Sequence, residues 1–304
     1  MIDLTQLPPP DVIEALDFET LFQSRKARLL AAAPAELRAG LAAALQLDSE
    51  PLTMLLQEFA FTELLLRQRV NEAALASLLA YAAGADLDNR AADYGVQRLL
   101  LRPADPDAEP PTPAEWEEDS ALRRRCQMAL EGLSVAGPAG AYKFHALSAN
   151  GQVLDASVEG PNSPLPMPPE PGTVRVFVMD RRGDGVPDAA LLSAVAAALN
   201  DEAVRPICDT VEVRPAEPLA FAVEAAIEWE PGGRAASGGL DGARLRLARL
   251  LESRRRLGAA VARSAIDAAL HVAGVRRVLL TAPTADVLCS LRQFPTAEEI
   301  ALHD

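Results

Sequence analysis

Histidine, the side chain best placed to move protons near neutral pH, occurs only at His145, His271 and His303. None has a zinc spacing such as HExxH. His145 in AYKFHALSA and His271 in AALHVAGV read as helix positions satisfied by a neighbouring carbonyl, and His303 as solvated. Asp86 and Asp88 in GADLDNRAADYG sit two apart as in a calcium loop. Arg90 then takes the next ligand position, Ala91 stands where glycine is required, and no glutamate closes the loop. Their expected role is capping: Gly84 ends one helix, and Asp86 or Asp88 accepts amide hydrogen bonds at the start of the next. SVAGPAGAY, Ser134 to Tyr142, lacks GxSxG, GxGxxG and a P-loop lysine, and reads as a tight turn into a short helix. Glu117 and Glu118 are neighbours in sequence and read as solvated rather than poised across a cleft. The arginine runs Arg123 to Arg125 and Arg254 to Arg256 fan around a helix, as solvated surface does. Cys126, Cys208 and Cys289 have no CxxC spacing and read as small buried apolar residues. No residue is assigned to catalysis, to a cofactor or to a metal.

Composition narrows the function classes further. Forty-three acidic against twenty-nine basic residues give a formal charge of −14, which repels phosphate backbones and argues against nucleic acid as a partner. Only Lys26 and Lys143 are lysines, so the positive charge is nearly all guanidinium, suited to planar pairing with carboxylates. MIDLTQLPPPDV shows no basic region followed by an apolar core, so no secretory signal is expected. The apolar segment Leu52 to Leu66 is broken by Gln57, Glu58 and Glu63 and is shorter than the ~20 residues that cross a bilayer, so no membrane span is expected either.

The elements that must position these residues are legible in periodicity and punctuation. The fold class expected is α+β: a helical N-terminal region followed by two small α+β units with short mixed sheets. Residues 1–101 form the helical region, with segments from Phe18 to Ala33 and Ala35 to Leu47 and a long helix running from Pro51 to Ala83. Residues 102–150 read as linker and short helices, 151–216 as the first α+β unit and 217–304 as the second. Two proline-rich stretches, Arg102 to Pro113 and Gly160 to Gly172, must be extended or turn-like, and a protease is expected to cut near Pro161 to Pro171. Thr173 to Asp180, Thr210 to Arg214, Leu219 to Trp229 and Val275 to Thr281 read as strands, and Gln152 to Val158 as an additional one. Helices are expected at Asp188 to Asn200, Leu240 to Leu257 and Ser264 to Val272. The long helix is apolar on more than one face: Leu64 and Leu65 lie about 100° apart, so one core cannot cover both along with Leu56 and Phe61. One of its faces is expected to meet another chain.

The segments LPPPDVIEALDFE, SEPLTMLLQEFAFTELLLRQRVNEAA, YAAGADLDNRAADYGVQRL, EGLSVAGPAGAYKFHALSANGQVLDASV, LNDEAVRPICDTVEV and SAIDAALHVAGVRRVLLTAPTADV resemble, in this order and from about Ile2 to Leu302, the baseplate J-like proteins of contractile-tailed phages and R-type bacteriocins. The resemblance implies a structural wedge component of a tail baseplate, with no cofactor and no reaction. It implies synthesis in a bacterial cytoplasm and incorporation into a virion or bacteriocin particle. Implied partners are other copies of the chain, a smaller wedge protein, and hub, spike and sheath-proximal baseplate proteins. The partner-binding residues it points to lie on the long helix: Leu52, Leu56, Phe61, Leu64, Leu65, Arg67, Arg69, Val70 and Asn71. Phe59 and Phe61 depart from the family by placing aromatics where small or polar residues are common. A competing class, a tail-associated cell-wall hydrolase, would need a carboxylate pair or metal triad in a cleft, which three scattered histidines do not supply.

Overall fold

The structure, a computed structural model, describes residues 2–134, 136–163 and 167–304. It divides into two compact units, Met1–Gln97 and Arg98–Asp304.

The first unit is helical. After a 3₁₀ turn at Leu4–Gln6 come α1 (Phe18–Ala32), α2 (Arg38–Ala44), α3 (Pro51–Ala76) and α4 (Gly84–Ala92). Asp17 caps α1 by accepting the Thr20 amide at 2.7 Å. Proline opens α3 because its missing N–H would have no partner there. The helix stops short of Ala83. The Ser77 hydroxyl donates to the Ala74 carbonyl at 2.7 Å, and the Tyr81 and Ala82 amides turn back onto the Leu78 carbonyl at 3.0 and 2.8 Å. Gly84, at φ +53°, begins α4 instead of closing α3. The N-cap of α4 is Ala83, with no side-chain cap. Asp86 therefore acts on the first turn through its charge rather than as the cap expected from sequence. Phe22, Leu45, Leu56 and Ala60 form one core cluster of this unit, and Ala82, Leu87, Ala91 and Val96 are buried as well.

The second unit runs β1 (Leu100–Arg102), β2 (Glu115–Trp116), α5 (Asp119–Gly132), α6 (Ala139–Ala149), β3 (Val153–Glu159), β4 (Thr173–Asp180), α7 (Ala189–Leu199), β5 (Thr210–Pro215), β6 (Glu217–Trp229), α8 (Gly233–Ala236), α9 (Gly239–Arg254), β7 (Ala260–Val261), α10 (Arg263–Leu270), β8 (Val275–Ala282), β9 (Val287–Leu288) and β10 (Gln293–His303). The class is α+β, as the residue patterns predict. Among the described residues the main sheets are three-stranded, in the orders β3-β4-β5 and β10-β6-β8. In the first, β4 pairs antiparallel with β3 and parallel with β5, and α7 makes the crossover. In the second, β6 pairs antiparallel with β8 and parallel with β10, a strand the sequence reading does not contain.

Strand β4, TVRVFVMD, is buried on both faces. Val174, Val176 and Val178 meet α6 and α7 in one core with Tyr142, Ala146, Leu191 and Val195. Met179, from the opposite face, packs with Ala216 and Phe294 in a small separate cluster. Gly185, at φ +93°, is needed beside that cluster, because a Cβ there would lie 2.8 Å from the Phe294 ring. The second sheet closes over α9 and α10 through Val223, Ala225, Ile227, Leu247, Ile266 and Leu270. The proline-rich stretch Gly160–Gly172 connects β3 to β4; its residues 164–166 lie outside the described ones.

Candidate partner interface

In the first unit, the inner face of α3 is settled by contacts far apart in sequence. Thr53, Leu56 and Ala60 are buried against α1. Glu63 continues that face, accepting from Arg25 Nε at 2.7 Å and from Arg67 Nη2 at 2.8 Å. These two guanidinium partners hold the Glu63 carboxyl below its ordinary pKa. Arg67 Nη1 reaches Glu14 at 2.5 Å, and Asn71 brackets the Glu14 backbone, accepting its amide at 3.2 Å and donating to its carbonyl at 2.9 Å. The Tyr81 hydroxyl donates to the Leu7 carbonyl at 2.9 Å. The extended N-terminal segment is thus strapped along the C-terminal half of α3.

Much of the remaining circumference is open and apolar. Met54, Leu55, Phe59, Phe61, Leu65, Leu66 and Val70 are each between 48% and 64% exposed. At about 100° per residue they sort into two stripes, Met54-Phe61-Leu65 and Leu55-Phe59-Leu66-Val70, separated by Glu58, Thr62 and Arg69. Beside the second stripe lies a shallow groove of about 330 Å³ lined by Val12, Glu14, Leu66, Arg67, Val70 and Asn71. Exposed apolar stripes of this kind are an ordinary mark of a protein contact.

Of the residues singled out from sequence, Leu56 lies in the core, Leu52 packs against it and Leu64 is half-buried. Arg67 and Asn71 hold the N-terminal strap. Phe61, Leu65, Arg69 and Val70 are on the surface. Met54, Leu55, Phe59 and Leu66 share that surface and are absent from the sequence-derived set; their signal was the same excess of apolar residues around one helix.

The second unit contains buried charge that the sequence reading placed in solvent. Glu117 is buried and accepts from Arg125 Nη1 at 2.5 Å and from the Leu99 amide at 3.0 Å. Arg124 and Lys143 contact Asp155 at 2.9 and 3.1 Å. The first arginine run is therefore internal in part, not a solvated fan. Asp155, Ser157 and Glu159 occupy alternate positions of β3; Ser157 and Glu159 face away from the α6 and α7 core, while Asp155, beside the register shift in β3, also reaches Lys143 of α6. Asp155 accepts the Leu257 amide at 3.2 Å, the Ser157 hydroxyl donates to the Leu291 carbonyl, and Glu159 takes a forked pair from Arg292 at 2.8 and 2.9 Å. This polar seam, with the Met179 cluster, joins the two sheets. Burial pushes the Asp155 carboxyl up, but Lys143, Arg124 and the Ala156 amide outweigh it, leaving its pKa below the usual value.

His145 Nε2 lies 3.1 Å from the Gly132 carbonyl, as expected of a helix histidine. Among the described residues no group of three His, Cys, Asp or Glu side chains could hold a metal ion, and no helix is long and apolar enough to cross a membrane.

The family signature described as the Baseplate J-like N-terminal domain matches residues 48–105, and that of the Baseplate J-like central domain matches residues 134–215. Among solved structures, the cryo-EM structure of the anti-feeding prophage baseplate is similar at a TM-score of 0.39 and 15% identity, covering 64% of this chain and 43% of its own, so the chain spans less than half of that protein. Baseplate protein J of Escherichia phage P2 is 45% identical over 298 residues, which is 96% of this chain and 94% of the relative. With that identity along nearly its whole length, the chain belongs to the baseplate J-like family.

Proposed function

We infer that the protein is a structural wedge subunit of the baseplate of a contractile tail or injection machine, and that it acts by binding neighbours rather than by catalysing a reaction. The observation that carries this is the end-to-end similarity to a phage baseplate protein. The open apolar stripes of α3 support it, because a helix left uncovered on two flanks fits a subunit whose stable state is an assembly. In this reading Phe61, Leu65, Arg69 and Val70, with Met54, Leu55, Phe59 and Leu66, contact a smaller wedge protein or another copy of the chain. The hub, spike and sheath-proximal proteins lie further along the same assembly. The protein is made in the bacterial cytoplasm and carried in the particle.

The test is a deletion of the gene in the producing strain, followed by electron microscopy of purified particles. The expected result is tails without baseplates, restored by the intact chain, which then co-sediments with them. Particles with complete baseplates in its absence would overturn the assignment.

A further inference from the structure

The sheet β10-β6-β8 ends in two edges of opposite charge that no further strand pairs among the described residues, although the Gly258 amide donates to the Gln293 carbonyl of β10 and Arg263 to the Leu280 carbonyl of β8, each at 2.9 Å. On β8, Arg276 and Arg277 are exposed; on β10, Glu298 and Glu299 are exposed. None of the four makes an ion pair among the described residues, although Arg277 lies opposite Glu228 in the β6 register. Both edges are interrupted at the charged residues, and β8 a second time at Thr281, where the register shifts between Glu224 and Ala225. The register shifts between Glu228 and Trp229, leaving Arg276 as the extra residue of β8, and between Ala297 and Glu299, leaving Glu298 as the extra residue of β10.

These edges cannot meet within one chain. Strand β6 lies between them, so they are about 10 Å apart and open in opposite directions. We propose that β8 of one copy docks against β10 of the next, pairing Arg276 and Arg277 with Glu298 and Glu299 in a head-to-tail contact between copies of this chain. This deepens the reading given above, on which it rests, by naming one contact between copies.

Bulges and charges also serve to keep edges apart. Shielding alone, however, places no requirement on sign. Here two β8 edges repel, two β10 edges repel, and only the unlike edges attract, which selects one arrangement by both attraction and repulsion. The bulges limit a continuous backbone ladder, so the contact is a short seam of side chains. A groove of mixed character accompanies it. About 280 Å³ in volume, it runs beside β10 on the side of the sheet that carries α9, with Leu251, Pro295, Ala297 and Ile300 lining it together with the charged Asp184, Glu252 and Arg255. Half-buried Val278 and Leu280 of β8 pack toward that same side. A strand added in continuation of the sheet keeps its sides, so these residues of the incoming copy face the groove. Contacts of this type use two different surfaces of one chain, and successive copies then close a ring or extend a filament.

The experiment uses two full-length variants, R276E/R277E and E298R/E299R, and sedimentation velocity at low ionic strength. The first carries two acidic edges and the second two basic ones. The wild type is expected to self-associate, weakening about tenfold or more as salt shortens the reach of the charges. Each variant alone is expected to stay monomeric, and an equimolar mixture to form heteromers. Self-association of either variant at the wild-type level, or a mixture that stays monomeric while both fold, overturns the proposal and leaves the charges as edge shields. Because purified chains are used, the outcome is independent of whether the deletion strain lacks baseplates.

Discussion

At the residue scale the informative groups are buried charges that hold structure rather than perform chemistry. Glu159 is fully buried, and its forked partner Arg292, lying over the Phe177 ring, comes from 133 residues further along the chain. Replacing Arg292 with alanine strands a buried carboxylate and is expected to destabilise the second unit by about 3 kcal/mol, read by urea unfolding. The pair R292L/E159Q should lose much less, because no charge is stranded. Unchanged stability in R292A would mean that water reaches Glu159. Asp155 carries a pH signature. Its folded pKa lies below the ordinary value, so its contribution is present above the unfolded pKa of about 3.9 and is lost as pH falls through the lower, folded one. In D155N the melting temperature should therefore fall less steeply than in the wild type below about pH 4. Parallel curves would show that other carboxylates govern acid unfolding.

At the element scale, α3 divides into a face that folds the subunit and flanks that are free. Leu65 and Leu66 stand one on each stripe, and Leu56 is in the core. Leu65→Asp and Leu66→Asp are expected to leave the melting temperature of the lone chain nearly unchanged, within about 0.5 kcal/mol, and to abolish co-sedimentation with baseplates. Leu56→Asp is expected to unfold the helical unit, since it loses roughly 2 kcal/mol of burial and places a charge among apolar groups. If L65D and L66D both enter particles, the stripes are not contacts. Leu64 is half-buried and separates the two behaviours less cleanly than its neighbours.

At the scale of the whole molecule, two compact units predict separable folding. Residues 98–304 expressed alone should melt in one cooperative transition, because the clusters around β4 and β6 are built from residues of that unit. A broad, non-cooperative melt by circular dichroism would mean that the boundary is misplaced. The proline-rich connection between β3 and β4 tests the same architecture differently. Those strands are antiparallel neighbours in one sheet. A cut between Gly160 and Gly172 should therefore leave both fragments bound together on a native gel and separate them only in denaturant. Release without denaturant would contradict the pairing.

Most of the local structure was determined by the sequence. β-branched runs placed β4, β5 and β8; apolar periodicity and Asp188, which accepts the Leu191 amide at 2.7 Å, placed α7; Pro51 placed the start of α3. These signals work because caps, propensity and side-chain period are set by residues within a turn or two of one another. The sequence likewise carried the family, through ordered blocks over nearly the whole chain. What only the tertiary structure decided depends on residues distant in sequence. Glu117 looks solvated beside Glu118 until Arg125 and the Leu99 amide enclose it. Leu56 and Leu65 are the same residue type on one helix, and only the position of α1 makes one core and the other surface. Strand β10 was illegible because Pro295 and the bulge at Glu298 break the alternation that marks a strand, while its pairing with β6, far back in the chain, supplies the order.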